Sequence, residues 1–380
     1  MKKEVDIVII GAGASGLMLG ALQENNNIVI IDNNSKIGSK ILISGGGKCN
    51  ITNGYVTAKN YLGNQRFIRN VLKRFDQHAL LSWLADRRLT PIVRENHQYF
   101  CENNAKELVD VLAREISRKN IILDTTVQCV EQVDSRFEVL TNKGKIKANK
   151  VVVATGGLSF PKIGATDIGY KIAKSFGHEI STLSAGLVGF TVQPEQFFFK
   201  SLSGIATDVK ITVNEKVING SLLFAHKGIS GPAVLDASLH WNKGKIEIDF
   251  IPTVNLNALK TSKKNISNVL GLSNRVAKTF LAELKVDDRA CNQLTKVEWE
   301  KIEILKSYSF APAGTFGYSK AEVTKGGILV DEIDASTMMS KKVNNLYFLG
   351  EVLDVTGELG GYNFQWAFSS AFVCAKGLNS

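Results

Sequence analysis

No apolar run in these 380 residues reaches the roughly 18–20 positions that a membrane-spanning helix needs. The longest runs are short and strand-like. The first residues, Met1-Lys2-Lys3-Glu4, lead straight into Val5–Ile10 and leave no space for the apolar region and cleavage site of a secretory signal. A cytoplasmic location is therefore expected. The five cysteines, Cys49, Cys101, Cys129, Cys291 and Cys374, contain no C-x-x-C pair, and an odd, dispersed set reads as free thiols. The five histidines are far apart and show no H-x-x-x-H spacing, so a metal site built on a local motif is excluded. Internal repeats and low-complexity linkers are lacking too, as is any consecutive basic block of five or more residues.

The formal charge is nevertheless +10, with an isoelectric point near 9.2. Such a surplus permits attraction to nucleic acid or to a polyanionic cofactor. Spread along the chain, it reads as an ordinary basic surface in preference to a nucleic-acid partner. Length alone points to two or three domains, and the balance of apolar and charged residues is ordinary for a globular chain.

The run Val5–Ile10 is continuous and β-branched, as in a strand buried on both faces. It ends in Gly11-Ala12-Gly13-Ala14-Ser15-Gly16, followed by the helix-like Leu17–Leu22. In a strand–turn–helix unit of this kind Gly11 makes the tight turn. Gly13 lets backbone N–H groups approach a pyrophosphate, and Gly16 lets the helix pack closely on the strand. The phosphates then rest on the free N–H groups and positive end of the helix. A second strand, Ile28–Ile31, ends in Asp32, followed by Asn33. That is where such a unit places a carboxylate to bind the adenosine ribose hydroxyls, and an acid there disfavours a 2′-phosphate. A Gly-x-Gly-x-x-Gly run in this context predicts a dinucleotide.

Three further segments choose FAD over NAD. Lys36–Asn53 contains Ser44-Gly45-Gly46-Gly47-Lys48-Cys49-Asn50, which reads as a loop able to lie against a flat ligand. Lys150–Val153 reads as a buried strand ending in Ala154-Thr155-Gly156-Gly157, suited to touch the same cofactor. Near the C-terminus a strand ends at Gly350-Glu351 and Asp354, and Gly360-Gly361 open a helix whose positive end would favour the anionic reduced ring. Along it Phe364, Ala367, Phe368, Ala371 and Phe372 share one face.

These segments carry a family resemblance. GAGASGL, KIGSKILISGGGKCNITN, VVVATGGLSFPKIGATDIGY, LLFAHKGISGPAVL and LYFLGEVLDVTGELGGYNFQWAFSSA resemble the bacterial BaiN/RdsA-type flavoproteins. That group, also called YhiN-type, includes the aminoacetone oxidase-like enzymes within the glutathione reductase-like superfamily, and the match spans nearly the whole chain. The resemblance implies noncovalent FAD, with Gly11, Gly13, Ala14, Ser15 and Gly16 at the pyrophosphate and Asp32 and Asn33 at the ribose. It further implies that the backbone of Val127 meets the adenine. Lys40, Ser44, Gly45, Gly46, Lys48, Cys49 and Asn50 would approach the ribityl chain and flavin. Gly350, Glu351, Asp354, Gly361, Tyr362 and Asn363 would close the site.

The expected fold is α/β: a discontinuous Rossmann-type FAD domain, residues 1–190 and 338–380. A β-barrel-like insert at 191–252 and 310–337 would form the substrate domain, with a helical subdomain at 253–309 nested inside it. Within that subdomain Ser273 and Thr295 are predicted helix caps, the latter with Glu298 in a capping box. In the insert His226 is a candidate general acid or base and Lys227 a candidate anion binder, set against a merely structural turn through Ser230–Pro232. Tyr362 is a third candidate, as proton donor or ring-stacking partner. Cys49 reads as part of the cofactor shell, because no second thiol lies within local reach. The predicted activity is a flavin-dependent oxidoreductase of a small organic substrate, by enone-type C=C reduction with NAD(P)H or amine oxidation with O₂. A flavin-dependent RNA-modifying enzyme and a non-catalytic flavin sensor are the alternatives. With no second glycine cradle, a nicotinamide donor would dock transiently.

Overall fold

The computed structural model describes residues 4–24, 27–116 and 120–379, so residues 1–3, on which the N-terminal reading partly rests, lie outside it. The chain divides into two compact units: residues 1–185 with 323–380, and residues 186–322.

The first unit is built on a seven-stranded mixed sheet. Strand β1 (Glu4–Ile10) lies between β2 (Ile28–Ile31) and the C-terminal half of Gly144–Val153, parallel to both. Ile9 is in register with Val152 on one side and Ile30 on the other, and all three are fully buried. Parallel central strands are covered on both faces, which explains their unbroken β-branched sequence. Asn120–Ile122 extends the sheet beyond β2, and Leu346–Phe348 adds in parallel beside Val151–Val153. The other end is antiparallel, where Val127–Val133 pairs with Arg136–Thr141, which returns along Gly144–Ala148. Helix α1 (Ala14–Leu22) lies against the C-terminal helix, Tyr362–Leu378.

That last helix departs from the expected one-faced pattern. It is buried almost all round, including Gln365, Ser369 and Ser370, whereas Phe364 and Phe372 are only half-buried. Its polar side chains work as internal ties. Gln365 accepts from Thr52 Oγ1 (2.6 Å) and donates to Phe75 O (3.2 Å) and Ser369 Oγ (3.0 Å). These bonds tie the helix to the Asn50–Asn53 strand and to the turn before Gln77.

The second unit holds an antiparallel seven-stranded sheet, ordered Tyr308–Phe310, Ile246–Asp249, Ala206–Val213, Lys216–Ala225, Gly228–Ser230, Phe190–Thr191 and Gly314–Thr315. Its core is aromatic: Phe199, Phe224, Phe250 and Phe280 are buried together, with Phe224 and Phe250 stacked at 6.1 Å. Both predicted caps form. Ser273 Oγ accepts from Val276 N ahead of Asn274–Glu283. Thr295 and Glu298 close a capping box, with Arg289 holding the Glu298 carboxylate at 2.7 Å.

Candidate functional site

In the first unit the carboxyl ends of the parallel strands open onto a groove of about 420 Å³. This is the place where α/β sheets bind ligands. It is lined by Gly11, Gly13, Asp32, Asn33, Lys40, Val127, Ala154, Thr155, Gly156 and Glu351, all anticipated from the sequence. It also takes in Thr125, Thr126, Gln128, Ser159 and the Gly164–Asp167 turn. Local sequence pattern does not single these out. The signal was present in the PKIGATDIG stretch, but its register against Asn33 is a tertiary fact: Asn33 Nδ2 donates to Gly164 O (2.9 Å).

The three cradle glycines divide the labour by geometry. A Cβ on Gly11, whose φ is +111°, would sit 2.4 Å from Ala154 O, and one on Gly16 would sit 1.9 Å from Gly11 O. Both glycines are required for close packing. Around Gly13, in contrast, nothing lies within 4 Å of the Cβ position. Gly13 is the N-cap of α1, makes no side-chain cap bond, and no acidic residue occupies the first turn. The helix therefore presents unpartnered N–H groups and its positive end to the groove. These features fit the pyrophosphate of a dinucleotide.

Asp32 ends β2 as expected. Its Oδ2 accepts from Ala12 N (2.6 Å), and its Oδ1 accepts from Asn34 N (2.8 Å) and Asn34 Nδ2 (3.0 Å). The carboxylate thus braces the glycine turn and still has lone pairs to offer on its oxygens. Across the groove Lys40 and Glu351 form an ion pair at 2.6 Å, and Glu351 Oε1 accepts from Thr324 N (2.8 Å). Ala14 and Ser15 lie in the first turn of α1, and Gly350 packs so tightly there that a Cβ would meet Ser15 Oγ at 2.6 Å.

The glycine run after the short helix Ser39–Ile43 turns through left-handed backbone at Gly45, Gly46 and Gly47. Gly46 has open space at its Cβ position. Ser44 Oγ donates to Ile41 O (2.8 Å), while Ser44 O receives Cys49 N (3.0 Å). Lys48 is half-buried, Cys49 is fully buried, and the Asn50 side-chain amide meets that of Gln98. The structure also supplies a neighbouring thiol that local spacing had not revealed. Cys101 N donates to Lys48 O (3.0 Å) and Cys49 O (3.4 Å). Burial pushes the Cys49 thiol up to about 12, helped by the nearby Cys101, and raises Cys101 to about 11. Both stay protonated at neutral pH.

At the C-terminal helix Gly361 (φ +95°) packs on the Thr52 backbone, where a Cβ would come within 2.6 Å. Asn363 spends its side chain on Gly357, accepting from its N and donating to its O, both at 2.9 Å. The buried Tyr362 accepts at its main-chain oxygen from Tyr61 Oη (2.9 Å), and the two rings meet edge to face at 6.0 Å. Burial raises the Asp354 carboxyl, a shift eased by Ser181, and lowers the Lys325 amine. His226 and Lys227 belong to the second unit, exposed in the turn between Lys216–Ala225 and Gly228–Ser230. Among the described residues no group of acidic, histidine or cysteine side chains could hold a metal ion, and no helix is long and apolar enough to cross a membrane.

Comparison with known proteins agrees with this geometry. A family profile described as HI0933-like protein Rossmann domain matches residues 5–377. A ribosomal RNA dihydrouridine synthase of Haemophilus influenzae is 39% identical over 399 residues, covering 100% of both chains. A 3-dehydro-bile acid delta(4,6)-reductase of Clostridium scindens is 28% identical over 412 residues, covering 97% of this chain and 98% of its own. In fold, the chain resembles a 3-ketosteroid delta1-dehydrogenase from Sterolibacterium denitrificans, with a TM-score of 0.53 at 11% identity and 99% coverage of each chain.

Proposed function

The chain belongs to the HI0933-like Rossmann family and is a flavoprotein oxidoreductase, and on that footing we propose that it reduces a C=C bond conjugated to a carbonyl, in a uracil ring of RNA. The observation that carries this reading is the 39% identity, over the full length of both chains, to a ribosomal RNA dihydrouridine synthase. The name of the 28% relative describes the same bond chemistry on a different skeleton. The uracil C5=C6 bond is conjugated to C4=O, as the ring double bonds of a 3-oxo steroid are conjugated to its ketone. Neither name points to amine oxidation. The formal charge of +10 suits a polyanionic substrate.

Reduced FAD, if held in the groove, would supply the hydride for the β carbon, with NAD(P)H as the donor that reduces the flavin. The protein's own part is to hold and to protonate. Gly11–Gly16 and α1 would hold the pyrophosphate and Asp32 the ribose, with Lys40 and Glu351 forming the groove wall. The α carbon needs a proton, for which Lys325 and Tyr362 are the candidates in the first unit. Lys325 follows Thr324, whose N–H donates to Glu351, and burial lowers the pKa of its amine.

The deciding experiment incubates the holoenzyme and NADH or NADPH with ribosomal RNA lacking dihydrouridine, and digests the RNA for mass spectrometry. A uridine gaining two hydrogen atoms is the expected result, lost in Lys325→Met while flavin reduction by the nicotinamide persists. A protein that leaves the RNA unchanged but reduces a 4,6-dien-3-one steroid belongs instead with the second relative's chemistry.

A further inference from the structure

Although the positive charge is spread along the chain with no consecutive basic block, one stretch is denser than the rest. Six of the eleven arginines fall between Arg66 and Arg94. Over those positions seven Lys and Arg face two acids, Asp76 and Asp86, a surplus of five and half of the chain's +10. The helix Gln65–Leu72 shows how this is arranged. Its inner face, Phe67, Ile68, Val71 and Leu72, is buried, with Phe67 6.1 Å from Trp366 of the C-terminal helix. Arg66, Arg69 and Lys73, at helical spacings of three and four, are exposed on the outer side, and Arg74 follows them. None of the four has an ion-pair partner among the described residues. Four unpaired cations on this helix and the turn that ends it, three of them guanidinium groups that match phosphate geometry, offer an anion-binding strip.

A second observation concerns the loop that precedes this helix in the chain. Tyr55 is 68% exposed, and its ring meets His97 edge to face at 4.8 Å. A single exposed aromatic is ordinary, but this one is built into place. Gly54 N donates to His97 O (2.8 Å), and Gln77 Nε2, three positions after Arg74, donates to Gly54 O (3.2 Å). Asn53 Nδ2 donates to Gly360 O (3.2 Å), immediately before the Gly361–Tyr362 end of the C-terminal helix. The loop that carries the ring is therefore tied on one side to Gln77, at the start of the helix that follows Arg74, and on the other to the glycines predicted to close on the flavin. Cationic edge and exposed ring together are the two elements with which proteins hold single-stranded nucleic acid.

We propose that Arg66, Arg69, Lys73 and Arg74 bind the backbone of single-stranded RNA, and that Tyr55 with His97 stacks a base next to the target uridine. This rests on the RNA reading above. It goes further in assigning the docking face to the first unit and the substrate to an unpaired segment.

The test uses the full-length holoenzyme and a uridine-containing single-stranded oligoribonucleotide, with binding measured across a salt series. Wild type should show a steep salt dependence. The variant R66Q/R69Q/K73Q/R74Q should lose about 0.7 from the log–log slope per contact removed, and Tyr55→Ala should weaken binding about tenfold. The variant K260Q/K263Q/K264Q/K278Q, which removes the same charge from exposed positions of the second unit, should bind as wild type. Unchanged flavin content and unfolding midpoint keep the comparison fair. If wild type binds no RNA at low salt, the RNA reading itself falls. If wild type binds but the strip variant binds equally well, or the second-unit variant is the one that fails, the docking face is wrong while the reading stands. Loss of binding to anionic phospholipid vesicles alone, with RNA binding intact, would assign the strip to a lipid and overturn the proposal.

Discussion

Gly13 and Gly16 stand three residues apart in one motif, yet they meet opposite surroundings. Gly13 has φ −83° and ψ −167°, which any residue can adopt, and nothing within 4 Å of its Cβ position. Gly13→Ala should therefore fold with stability within about 0.5 kcal/mol of wild type, while losing FAD affinity at least tenfold, because the methyl takes the space the phosphates need. Gly16→Ala has no such room, and the clash with Gly11 O should cost about 1–3 kcal/mol or more. Thermal unfolding and flavin retention measured on both variants separate the two roles. Equal flavin loss without any stability difference would refute the division. Cys49 poses a different question at the same scale. Its thiol, held up to about 12 by burial, has little thiolate at neutral pH. Cys49→Ser should accordingly keep its flavin and most of its activity, and Cys49 in wild type should resist maleimide at pH 8. A fast-reacting Cys49, found by peptide mapping, would contradict this.

At the scale of elements, the first unit is pinned by a buried polar cluster that the flavin chemistry does not use. The His178 ring, with no exposed side-chain surface, stands 2.9 Å from Glu332 through Nδ1 and 2.8 Å from Ser340 Oγ through Nε2. Lys342 pairs with Glu332 on its other oxygen. The cluster joins the segment after Ile168–Ser175 to the segment before Leu346–Phe348, and Phe348 packs edge-on against the imidazole at 5.0 Å. Burial lowers the His178 pKa, so as pH falls the unfolded chain takes up that proton first. The stabilisation is complete above the ordinary histidine value of about 6.5 and is lost as pH drops below it. Glu332 is also held low, mainly by Lys342 and by Glu179 N, against the upward pull of its burial, and its contribution is lost in a second window below about 4.5. Unfolding midpoints should thus fall in two stages on acidification, and His178→Gln should remove the first stage. An unchanged profile in that variant would show that the histidine is not the titrating group.

On the scale of the whole molecule, the first unit is assembled from two distant chain segments that meet at Ser181 and Gly327, among other places. Ser181 N donates to Gly327 O (2.9 Å), and Gly327 N donates to Ser181 Oγ (3.0 Å). The groove is lined by residues of the first unit alone. Replacing residues 187–321 with a short Gly/Ser linker should therefore leave a protein that still binds FAD noncovalently, read from the absorbance of the purified material. FAD at about one hundred times its dissociation constant should stabilise that protein by roughly 2.7 kcal/mol. Failure of the excised protein to fold, with or without FAD, would show that the first unit depends on the second.

How much of this could be read from the chain depended on how local each signal was. The β-branched runs, the glycine cradle, Asp32 and the two caps of the helical segment follow from interactions within a few residues, where backbone sterics and hydrogen bonding act directly. The sequence by itself therefore determined a dinucleotide cradle on a parallel strand and the family to which the chain belongs. The rest lay between residues far apart in number. Gln365 looks like a surface residue in the periodic pattern until Thr52 and Phe75 O provide its partners. Cys101 comes beside Cys49, and Gly164 beside Asn33, only when strands and turns are in register. Gln77 comes to Gly54, next to Tyr55, only in the folded chain. Tertiary structure alone decided these pairings, because hydrophobic burial fixes which long-range segments meet, and only then do polar groups acquire the partners that give them a role.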